Sequence, residues 1–103
     1  MTDRELTEAA ARAAGVYLAP EWRGHHKHLP NWNPLEDDGD ALRLAVALLL
    51  DVRHVHGKAH AGMQDEFWCT EAWFPNGAPA ATTRRAITRA AAALAGAATG
   101  EKP

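Results

Sequence analysis

A chain of 103 residues with 47% apolar and 23% charged side chains is long enough for one core and too short for a core plus a deep, independently walled cleft. A formal charge of −2 excludes a generic polyanion binder, because nonspecific nucleic-acid affinity comes from many Lys and Arg neutralising phosphates. The single cysteine, Cys69, excludes an internal disulfide, and the longest strongly apolar run, Leu44 to Leu50, falls far short of the roughly 20 residues that span a bilayer.

The opening "TDREL" sets Thr2 and Glu5 at capping-box spacing and predicts a helix over residues 3–14, with Leu6, Ala9, Ala10 and Ala13 on one face and Gly15 as its stop. Glu8 and Arg12 have the spacing of a surface ion pair on that helix. "GVYLAP" reads as a short strand. From Pro20 to Pro34 the prolines, Gly24 and "HHKH" predict a loop or irregular hairpin, with a second short strand near Lys27 to Trp32.

In "NWNPLEDDGDALRLA", Asn33 before Pro34 is pushed towards extended geometry, and Asp37 or Asp38 can cap the helix that follows. That helix is predicted over residues 39–50. Leu42, Ala45, Val46 and Leu49 form its apolar face, widened by Leu44 and Leu48, which makes it the expected most buried helix. "DVRHVHG" reads as a strand ending at Gly57, "KAHAGMQDE" as a polar connection, and "FWCTEAWF" as a strand closed by the turn at Pro75 to Gly77. The last helix is predicted from Thr82 or Thr83 to Ala95, with Ile87, Ala90, Ala91 and Leu94 inward and Gly96 as its stop.

The expected fold class is α+β, in the order α-β-β-α-β-β-α, with an antiparallel or mixed sheet of three to four strands packed with three helices. Residues 1–96 make one domain and 97–103 a flexible tail.

Two segments carry a resemblance. "WNPLEDDGDALRLAVAL" and "RRAITRAAAALAG" resemble small proteins encoded by bacteriophages and prophages, and through them the phage α-β-α sandwich domain family. The resemblance spans Trp32 to Leu48 and Arg84 to Gly96, and more weakly Leu6 to Ala14. It implies a small α/β sandwich from a phage genome, working in the cytoplasm of a bacterial host. It implies no established chemistry and supplies no catalytic residue.

The acids Glu36, Asp37, Asp38 and Asp40 lack the alternating spacing of a calcium loop, and helix capping accounts for them. Six histidines is a high count, and His26 with His28 and His54 with His56 are the candidate metal ligands; no paired zinc signature accompanies them. Cys69, in an aromatic strand, reads as a small apolar group rather than a nucleophile. Arg84, Arg85 and Arg89 form a basic edge on the last helix, a candidate contact for an acidic surface or for phosphate.

Trp22, with His25, His26 and His28 beside it, marks a candidate partner-binding loop. Trp32 is placed in the core beside the second helix and at the border of that surface, and one of Trp68 and Trp73 should face inward.

The leading functional expectation is a non-enzymatic phage or prophage accessory protein, without cofactor, that binds a host or phage protein in the manner of an anti-CRISPR inhibitor. A histidine-based metal protein or metal-dependent enzyme is the alternative, and a nucleic-acid module using the last helix is a third. No membrane association is expected, and the Ala-rich faces of the first and last helices permit a homodimer.

Overall fold

The Thr2 hydroxyl accepts the Glu5 N–H at 3.1 Å while the Glu5 carboxylate accepts the Thr2 N–H at 3.0 Å, so two open amides of a helix start satisfy each other's side chains. This box begins α1 (Asp3–Ala14) in the computed structural model, which describes residues 2–17, 27–28, 31–64, 66–73 and 77–98. Gly15, at φ 72°, ends the helix in the left-handed geometry that glycine adopts at no steric cost. Glu8 pairs with Arg4 at 3.0 Å rather than with Arg12; both partners are four residues away, so spacing alone does not choose between them.

The first two strands are described over two residues each. β1 (Val16–Tyr17) and β2 (Lys27–His28) pair in parallel as a unit of their own and do not join the main sheet. Trp22, His25 and His26 lie outside the described residues, as do Pro75 and Asn76 of the expected turn.

α2 (Asp38–Ala47) starts where the acids predict, with Asp37 as cap accepting the Asp40 N–H at 2.8 Å. Its buried face differs from the expected one. Ala41, Leu44 and Ala45 pack inward, whereas Leu42 and Val46 are each 63% exposed. The helix also stops early. The Leu49 N–H bonds the Val46 carbonyl and the Leu50 N–H bonds the Ala45 carbonyl, the paired bonds of a Schellman stop, with Leu49 at φ 55° and 83% exposed. The most buried helix is therefore the last one, not α2.

β3 (Asp51–Val55), β4 (Lys58–Met63) and β5 (Phe67–Ala72) form an antiparallel sheet in that order. β4 is a strand where a polar connection was expected. It follows β3 through the two-residue turn His56–Gly57, at φ 50° and φ 77°, the positive values that match a tight hairpin to strand twist. Alanine has little strand preference of its own. Ala59 and Ala61 are nevertheless fully buried, because only a small side chain lets a helix sit so close to the sheet.

That helix is α3 (Pro79–Ala98). It starts at a proline, whose missing N–H costs nothing in a first turn, and runs through Gly96 and into the expected tail. Ala86, Ile87, Thr88, Ala90 and Ala91 bury against β4, β5 and α1, and α1 and α2 pack on α3 rather than on the sheet. The class is α+β with three helices and a three-stranded antiparallel sheet. The described helices pack on one face of that sheet. Arg53, Val55, Lys58, Trp68, Thr70 and Ala72 are exposed on the other face. No helix of the described residues is long and apolar enough to cross a membrane.

Candidate functional site

The two segments that carry the phage resemblance meet in space. Asn33 folds back, its side chain accepting the Leu35 N–H at 3.1 Å and its own N–H bonding Asp40 at 2.9 Å. Arg84, from the second segment, donates through Nε to the Leu35 carbonyl at 2.9 Å and through a terminal nitrogen to Asp38 at 2.5 Å. Asp40 also binds Arg43 at 2.8 Å. Asp40 thus ties the start of α2 to the preceding turn, and Asp38 clamps its first turn to α3.

The expected basic edge is electrostatically satisfied. Arg84 faces Asp38, Arg85 faces Asp3 at 2.9 Å, and Arg89 faces Glu71 at 2.5 Å. Each guanidinium already has a carboxylate, which leaves little charge to release counterions from a nucleic acid. Trp32 is 7% exposed and belongs to the core cluster with Leu44, Ala45 and Ile87, which removes its side chain from any partner surface.

The described histidines are dispersed. His54 Nε2 lies 2.7 Å from the Thr83 hydroxyl and its ring packs 5.8 Å from Trp73, His60 Nδ1 lies 2.8 Å from the Thr70 hydroxyl, and His56 occupies the hairpin turn. His28 contributes its backbone to β2. Among the described residues no three His, Cys, Asp or Glu side chains converge on a metal position. Cys69 is half-buried beside the core, and burial raises its thiol pKa, with Arg89 acting the other way and Glu71 adding to the rise. A thiol so placed is a poor nucleophile at neutral pH. Trp73 is the inward member of its pair, and Trp68 is exposed with the Arg53 guanidinium 5.2 Å above its ring.

What remains is an apolar surface around β3. Leu42, Val46 and Leu49 from α2 and its stop, and Val52 and Val55 from β3, are all exposed. Between α2, β3 and the start of α3 runs an open groove of about 380 Å³, with Ala41, Ala45 and Ile87 at its base and Leu42, Val52 and Ala80 along its sides. It exists because α2 packs on α3, and α3 on β4 and β5, while β3 packs closely on neither helix. The sequence carried one signal of this: α2 has more apolar side chains than one buried face requires.

The backbone of β3 is open as well. The Trp73 N–H bonds the Gly57 carbonyl, so in the alternating pattern of β4 the groups of Lys58, His60 and Gly62 face β3, and they meet Val55, Arg53 and Asp51. The N–H and C=O groups of Val52 and His54 therefore point away from the sheet. No family model, characterised protein or solved structure matches the chain.

Proposed function

We propose that this protein acts by binding another protein through its β3 side, as a phage or prophage accessory protein directed at a host target, with inhibition of a host defence system as the setting. One observation carries the reading: of the six large apolar side chains exposed among the described residues, Leu42, Val46, Leu49, Val52 and Val55 lie in α2, its stop and β3, and Trp68 alone lies elsewhere. Grouped apolar exposure at a groove marks an interaction surface, whereas single exposed apolar residues are ordinary. The phage setting comes from the two motif segments, and the binding surface comes from residues outside or at the edge of them.

The test uses the chain immobilised against lysate of a bacterial host, beside the double variant V46K/L49K. Both side chains are exposed, so the fold tolerates the change. A host protein retained by the natural chain and lost on the variant is the expected result. Equal retention on both, or none on either, overturns the reading.

A further inference from the structure

This inference rests on the β3 side being a protein-binding surface and names one occupant for its edge. We propose that a second copy of the chain docks on β3 edge to edge, joining two three-stranded sheets into one continuous antiparallel sheet about a twofold axis at Val52.

The two edges of the sheet are treated differently. On β5, Arg89 reaches across the edge and donates to the Thr70 carbonyl at 3.3 Å while held by Glu71, a charged side chain laid over the strand in the way that blocks pairing. On β3, all five residues are exposed, and the outward groups of Val52 and His54 have no partner among the described residues. An open edge of this kind is a template for another strand.

Charge then selects the register. Only antiparallel registers that set Val52 and His54 opposite outward-facing residues of the second copy bond these groups. Centring on Val52 does so. It pairs the Val52 backbones with each other, sends each His54 N–H to the partner's Leu50 carbonyl, and sets Asp51 opposite the partner's Arg53 on both sides of the axis. The two adjacent allowed registers, centred on Asp51 and on Arg53, set two carboxylates or two guanidinium groups opposite each other with Cα atoms about 4.5 Å apart, where like charges destabilise.

The same register brings apolar groups together. The Val52 side chains of the two copies meet at the axis, and Leu42, which lines the same groove as Val52, lies on that side of the joined sheet. Leu49 is a bulky residue held at φ 55°, a costly conformation for leucine and a natural one for glycine.

The experiment is native mass by sedimentation for the full chain, for D51K, for R53E, and for an equimolar mixture of the two variants. The natural chain should be a dimer. Each single variant places like charges opposite each other and should weaken self-association at least about tenfold. In the mixture the introduced lysine of one copy meets the introduced glutamate of the other, and the natural Arg53 of the first meets the natural Asp51 of the second, so it should dimerise again. Asp51 also accepts the Gln64 N–H at 3.3 Å, and recovery on mixing is the decisive reading because a folding defect in either variant cannot produce it. A monomeric natural chain, a dimer unaffected by both variants, or a mixture that stays monomeric overturns self-docking. A monomer that still captures a host protein in a V46K/L49K-sensitive manner sinks self-docking alone, whereas a dimer that captures nothing sinks the proposed host-directed function alone.

Discussion

Arg84 and Leu35 are joined across the fold: the guanidinium Nε donates to the Leu35 backbone carbonyl at 2.9 Å, one turn before α2 begins. The same guanidinium reaches Asp38 at 2.5 Å, and its side chain is mostly buried. A single residue of α3 thus holds both the turn and the cap region of α2.

Removing that clamp leaves a carbonyl of a buried residue without its charged donor. Arg84→Ala should lower stability by about 1.5–3 kcal/mol, read as a shift of the urea midpoint with unchanged slope. Arg84→Lys should recover less than half of it, because an ammonium cannot reproduce the two-pronged geometry. Asp38→Asn should cost far less, since its carboxylate is largely exposed. A lysine variant as stable as the natural chain would show that charge alone matters here.

Leu49→Gly should stabilise. The left-handed backbone costs leucine about 1 kcal/mol that glycine avoids, and the exposed side chain contributes little packing within one copy. In dilute solution the melting temperature should rise by roughly 4–8 °C for each kcal/mol gained. Leu49→Val should move it the other way, because β-branched residues tolerate positive φ least. No rise with glycine would mean that Leu49 packs more than its exposure indicates.

Gly62→Ala should be strongly destabilising. A Cβ there would run into the Phe67 carbonyl oxygen and lie 2.9 Å from the Trp68 Cα, both backbone positions of the paired strand. Backbone cannot swing aside as a side chain does, so a loss of about 3 kcal/mol is expected, measured by urea unfolding. A tolerated alanine would mean that the β4 to β5 hairpin slides.

Glu5 predicts a pH dependence. The hydrogen bond from the Thr2 N–H, followed by that from the Thr2 hydroxyl, lowers its carboxyl below the ordinary 4.5. A carboxyl depressed in the folded state contributes stability above its unfolded value and loses that contribution as pH falls through the lowered folded value. Glu5→Gln keeps an acceptor for the Thr2 N–H but does not titrate. Unfolding midpoints of the two proteins should differ by a constant amount near neutrality and converge in acid below 4.5. Parallel curves throughout would show that Glu5 does not couple to folding.

The starts of α1 and α2 were legible because their chemistry is local, whereas α3 begins at Pro79, ahead of the expected Thr82 or Thr83. Thr2 with Glu5 and Asp37 with Asp40 lie three residues apart, and a side chain that close reaches the open amides of its own first turn whatever the rest of the chain does. The aromatic strand β5 was legible for a similar reason, since its side-chain types and alternation favour one local geometry. Tertiary structure decided the rest. The apolar side chains of α2 surround more than half of its circumference, so periodicity could not say that Ala41, Leu44 and Ala45 would meet α3 while Leu42 and Val46 stayed outside. "KAHAGM" became the central strand because α3 needs small residues beneath it, a demand made by residues far along the chain. The carboxylates that occupy Arg84, Arg85 and Arg89 come from three different elements, and β3 is an edge because β4 alone pairs with it. Charge and edge exposure are properties of the assembled fold, because each depends on which distant segment comes to lie alongside.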